Sequence, residues 1–171
     1  MTIKVQRFLN VAMVLLSWLT IPLLGSRNIK RFFPASILIG IVELLHARIG
    51  KKKRWWVFYN KPNSFLFGEF PFEFGPFWAA STWLLKWSYG NFKRFILLNG
   101  ITNFLFAFPI SYFAKKYRYY TLVRMNSFQF FLYFFSKAFL FYGFQYLIEN
   151  IRSHQTNKNI SLLNSPEGSN N

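Results

Sequence analysis

The chain has 171 residues, 53% of them hydrophobic and 23% aromatic, with 24 Phe alone; that is room for about five membrane crossings and no substantial soluble domain. Its net charge of +16 comes from 21 Lys and Arg, and these cluster between apolar stretches instead of lining one face, which argues against a soluble nucleic-acid-binding domain. The absence of Cys excludes disulfides, thiolate metal sites and thiolate nucleophiles.

In chain order, Lys4 and Arg7 precede an uncharged run over 8–24 (FLNVAMVLLSWLTIPLL). The run mimics a secretory signal, but PLLGSR offers no small-x-small cleavage site, so a retained first helix is expected over 8–25. A second span is read over 32–49, with Pro34 placed in its first turn, where a missing N–H is tolerated. The basic cluster Lys51, Lys52, Lys53 and Arg54, with Trp55 and Trp56, suits anionic lipid headgroups and sets topology.

The linker PNSFLFGEFPFEFGP over 62–76 alternates Phe with Glu69 and Glu73. Pro71 disfavours a continuous helix across it, which predicts an aromatic interfacial loop whose two carboxylates balance part of the basic cluster. A third span is read over 75–89, short and carrying Lys86, a fourth over 95–114 and a fifth over 126–148. Asn99 and Asn103 on the fourth predict inter-helix hydrogen bonds. From Glu149 the chain turns polar, and a disordered tail is expected over 150–171.

The fold class predicted is therefore an all-α integral membrane protein: a transmembrane domain over 1–149 holding a bundle of about five helices, then the tail. Five crossings put twelve cations on the N-terminal side against seven on the other, so the positive-inside tendency places the N-terminus in the cytoplasm and the C-terminus outside. If the third stretch only lies in the interface, the totals become thirteen against seven, with both ends inside.

Ionisable groups inside spans are the sharpest functional signal, since each costs about 2.5–3.5 kcal/mol at mid-depth when alone. Glu43 falls near the middle of the second span and Lys137 near the middle of the fifth, so they are expected to pair inside the bundle. His46 shares a helical face with Glu43, completing a candidate intramembrane polar site. No further in-span ligand completes a metal centre, and no catalytic motif, P-loop or dinucleotide fingerprint appears. Neither cofactor nor enzyme activity is predicted.

FPASI, IGKKKRWW, GEFPFEFGPF, LKWSYGNF, LLNGITNFLFAFP, LVRMNSFQ and KAFLFYGFQ, in that order over 33–149, resemble a group of uncharacterised small multi-pass membrane proteins of Gram-positive bacteria. The resemblance implies residence in the bacterial cytoplasmic membrane and a multi-span layout; it implies no activity, ligand or cofactor. The partners expected are the lipid bilayer, anionic headgroups and other membrane proteins. Function is read first as a non-enzymatic membrane component (scaffold, partner subunit or lipid-associated factor). The competing reading is a small transporter or lipid-handling protein with a polar site around Glu43 and Lys137. A cavity reaching Glu43 would favour the second reading, and dry packing the first.

Overall fold

A computed structural model describes residues 2–59 and 68–163. Helix α1 (Ile3–Thr20) opens with the Thr2 hydroxyl accepting from the Val5 N–H at 3.4 Å, and a short 3₁₀ turn at Pro22–Leu24 leads into α2 (Ser26–Lys53). A three-residue strand β1 (Trp56–Phe58) follows. An unbroken helical run then comprises α3 (Phe70–Phe72), a π-turn (Glu73–Phe77) and α4 (Trp78–Ser88). Helix α5 (Phe92–Leu105), a second π-turn (Phe106–Ile110) and α6 (Ser111–Lys116) form another unbroken run. Strand β2 (Tyr120–Leu122) and the long α7 (Ser127–Leu163) complete the chain.

Among the described residues, four helical stretches, Ile3–Leu24, Ser26–Lys53, Phe92–Lys116 and Ser127–Lys158, are long and apolar enough to cross a membrane. The fold is all-α in character and consistent with a membrane protein, but it has four such stretches where the sequence reading had about five. The run containing 75–89 falls short because Glu73, Lys86 and several small polar residues dilute its apolar character. It is nonetheless central. It lies parallel to α1, with Trp18 near Phe74 and Trp78 and the Trp83 indole donating to Thr20 at 3.2 Å. It lies antiparallel to α2, where Phe32 meets Tyr89 and a Cβ on Gly40 would overlap the Trp78 indole. Helix α7 runs antiparallel to both α2 and α5, with Phe95 against Tyr142 and Phe106 against Phe130.

Three departures from the sequence reading have physical causes. Pro71 sits in the first turn of α3, where its missing N–H breaks no bond, so the described part of the expected interfacial loop is helical from Phe70; 62–67 lie outside the described residues. Pro34 is not in the first turn of its helix, because α2 begins at Ser26. The carbonyl of Lys30, four residues back, loses its donor and instead accepts from the Arg152 guanidinium at 2.8 Å. Finally, residues 150–163 of the expected disordered tail continue α7, and 164–171 lie outside the described residues. Arg31 and Gln145 both bond Glu149, at 2.7 and 2.8 Å, and Arg152 reaches α2 beyond it, which anchors the start of that extension.

The all-α expectation also omitted a strand pair. Helices α2 and α6 each end in an Arg with left-handed backbone, Arg54 at φ 53° and Arg118 at φ 56°. Each turn is closed by the following N–H: Trp55 donates to Gly50 O at 3.0 Å, and Tyr119 to Ala114 O at 2.8 Å. The two exits then pair antiparallel, Trp56 with Leu122, Val57 with Thr121 and Phe58 with Tyr120. At the start of α7, Asn126 and Gln129 cap one another reciprocally at 2.7 and 3.0 Å.

Among the described residues the core has three apolar clusters, the smallest joining Ile21, Leu24 and Ala79 where α1, the 3₁₀ turn and α4 meet, and two larger ones flanking the centre of the bundle. Of the larger two, one, at the Arg31–Glu149 end, joins Phe32, Ile39, Leu85, Phe95 and Phe141; the other, under the strand pair, joins Trp56, Phe58, Tyr120 and Phe130.

Candidate intramembrane cavity

A cavity of about 360 Å³ occupies the gap between the two larger core clusters. Ile39, Ala138 and Phe141 close it at one end, and Trp56, Phe58, Tyr120 and Phe130 at the other. Its size falls within the range of small-molecule sites, and its wall is almost entirely apolar with a few polar groups converging on it, as such sites require. Ala80, Thr102, Leu105 and Ile110 belong both to its lining and to the exposed surface, so it opens sideways between α4 and the α5–α6 run.

The two π-turns bound this opening. A proline inside a helix withdraws an N–H and crowds the preceding turn, and one local solution is a wider turn. Pro76 and Pro109 both lie in such turns. The displaced backbone is partly satisfied from outside: the Trp18 indole donates to Phe74 O at 2.9 Å and the Ser111 hydroxyl to Phe106 O at 3.0 Å. Glu73, Pro76 and Phe77 from one turn and Phe106 and Ile110 from the other line the cavity.

Its polar groups come from four elements. Helix α2 brings Glu43 and α7 brings Lys137, which form an ion pair with side chains only 4% and 7% exposed. The Lys137 ammonium also stands over the Tyr133 ring at 3.5 Å and the Phe134 ring at 5.0 Å, while the Tyr133 hydroxyl points at Glu43 Oε1 at 3.5 Å. A buried pair of this kind is held by geometry and extra partners, since desolvation offsets much of its attraction. Glu69 accepts from the Trp56 indole N–H at 2.9 Å. Glu73, 8% exposed, has neither hydrogen-bond donor nor ion-pair partner among the described residues. The opposite wall adds Asn99, Thr102 and Asn103.

Of the residues singled out by sequence, Glu43, Lys137, Glu69 and Glu73 therefore meet at one cavity. His46 does not line it: it packs against Tyr133 at 6.1 Å, and its Nδ1 is buried without a partner among the described residues. No group of three His, Cys, Asp or Glu that could hold a metal ion occurs among the described residues. Lys51, Lys52, Lys53 and Arg54 are exposed at the strand end, and no ion pair links them to Glu69 or Glu73 among the described residues. Those carboxylates turn inward instead, because the helix beginning at Phe70 directs them towards the cavity. Trp56 likewise is not at the surface: it is buried in the strand-end core. Asn99 donates to Phe95 O of its own helix at 2.9 Å rather than to another helix.

Sequence reasoning overlooked the π-turns, whose signal was available in Pro76 and Pro109 within otherwise helical stretches. It also overlooked Tyr119 and Tyr120. Tyr120 is buried against Ser111 at 2.7 Å, and Tyr119 donates to Asn10 of α1. Burial pushes both phenols up from their ordinary range, keeping them protonated donors.

No protein-family model matches this chain, and neither a curated protein nor a solved structure shows significant similarity to it.

Proposed function

We propose that this is a multi-pass protein of a bacterial cytoplasmic membrane that takes an amphiphile sideways from the bilayer into its central cavity, as a small lipid-handling or transport protein. The observation that carries the reading is the cavity itself, apolar along its walls, charged at Glu43, Lys137 and Glu73, and open between helices. A scaffold or partner subunit needs only a filled interior, so the cavity counts against that reading.

Five crossings are proposed, with the Phe70–Ser88 run as the third; at 1.5 Å per residue it reaches about 28 Å, close to the hydrocarbon thickness. Lys4, Arg7, Arg48, Lys51, Lys52, Lys53, Arg54, Lys115, Lys116, Arg118 and Arg124 gather at the strand end, eleven in all. Arg27, Lys30, Arg31, Lys86, Lys93, Arg94, Arg152 and Lys158 belong to the opposite end, eight in all. This asymmetry supports a cytoplasmic strand end and N-terminus and an external C-terminus. Exposed Lys51, Lys52, Lys53 and Arg54 then contact anionic headgroups of the inner leaflet.

The test is Ala80→Trp, which fills the mouth from an exposed position. Wild-type protein purified in nanodiscs should carry a discrete lipid or amphiphile by mass spectrometry, and the variant should elute as a folded monodisperse species without it. Equal occupancy in the two proteins, or none in the wild type, overturns the reading.

A further inference from the structure

The charges around the cavity do not balance, and the imbalance identifies the headgroup. Three carboxylates, Glu43, Glu69 and Glu73, and one ammonium, Lys137, line it. Lys137 answers Glu43, and the Trp56 indole N–H answers Glu69. No hydrogen bond or ion pair among the described residues reaches Glu73, which is more than nine-tenths buried, and Lys137, whose charge is felt there, is already paired with Glu43. A carboxylate held away from water either takes up a proton or is met by a positive partner.

The protein also shows how it accommodates a cation here. The Lys137 ammonium sits between a carboxylate and the faces of Tyr133 and Phe134, the combination used to hold ammonium groups. Around Glu73 the ingredients recur, a buried carboxylate with Phe72 and Phe77 on the same cavity wall, but no protein cation completes them.

We infer that the occupant is a single-chain amphiphile with a cationic amine or quaternary ammonium head, the head lying at Glu73 and the chain along the apolar wall towards the opening between α4 and α5. The inference rests on the reading of the cavity as an amphiphile site. A bare metal cation would leave most of the roughly 360 Å³ unfilled. An anionic head would meet two carboxylates in excess of the single lysine, and an uncharged head would give Glu73 a hydrogen bond but no countercharge.

The experiment uses the whole protein in phosphatidylcholine vesicles with three probes, hexadecylamine, hexadecanol and hexadecanoic acid, each carrying a photoreactive diazirine in its chain. Labelling of peptides from α4 and α5 is read by mass spectrometry for the wild type and for Glu73→Gln, an isosteric change that removes charge without opening space. The amine should label the wild-type cavity roughly tenfold more than the other two, a difference of ~1.4 kcal/mol, and Glu73→Gln should abolish that preference while labelling by the alcohol persists. Equal labelling by all three, preference for the acid, or an amine preference surviving in Glu73→Gln overturns the headgroup assignment and leaves the amphiphile site standing. Absence of cavity labelling by any probe overturns the site itself. The three-probe comparison within the wild type decides the matter even if the variant fails to fold.

Discussion

The two halves of the bundle use the same residue types to opposite ends. Near Arg31, the carbonyl freed by Pro34 accepts from Arg152, and Glu149 is held by both Arg31 and Gln145. Around Glu73, Pro76 and Pro109 widen their helices into π-turns that border the cavity, and a buried carboxylate has no ion-pair partner among the described residues. The first half behaves as scaffold. The second carries the features that cost stability and that scaffolding does not require, and such features concentrate at functional sites.

The sharpest way to break this contrast is to unbalance the one pair that the cavity half does satisfy. Lys137→Met should destabilise the protein by about 3–5 kcal/mol, because it strands Glu43 away from water. Adding Glu43→Gln should recover most of that loss, and thermal unfolding in micelles followed by size exclusion reads both. Additive losses would mean that the pair is not coupled. A smaller effect is expected in the scaffold half: Arg152→Ala removes the donor to Lys30 O and should cost about 1 kcal/mol, with hydrogen exchange rising in α7 beyond Glu149. The smallest is Arg118→Gly, which relieves a left-handed backbone and should leave stability unchanged or raise it by up to about 1 kcal/mol; a marked loss would show that the Arg118 side chain holds the turn.

The long helices and the meeting of Glu43 with Lys137 could be read from the sequence because both follow from one rule: apolar length with two isolated charges of opposite sign. The fate of Glu69 and Glu73 could not, because it depends on whether Pro71 interrupts a helix or opens one, and the residue type alone permits either. The strand pair escaped for a different reason. Trp56, Phe58 and Tyr120 have the composition of an aromatic belt, and only the left-handed turns at Arg54 and Arg118 fold them inward. The continuation of α7 past Glu149 was likewise hidden, since 150–163 has no apolar stripe and its first turn is anchored by Arg152 reaching across to α2.

The strand pair has one more consequence. Joining the exits of α2 and α6 through three residue pairs clasps the bundle at one end, while the tight bend at Gly90 between α4 and α5, φ 94°, hinges it at the other. With these elements joined at both ends, the cavity's opening between α4 and α5 lies on the flank. Under the lipid-handling reading proposed above, the concentration that governs occupancy is the amphiphile's mole fraction in the surrounding leaflet rather than its total aqueous concentration.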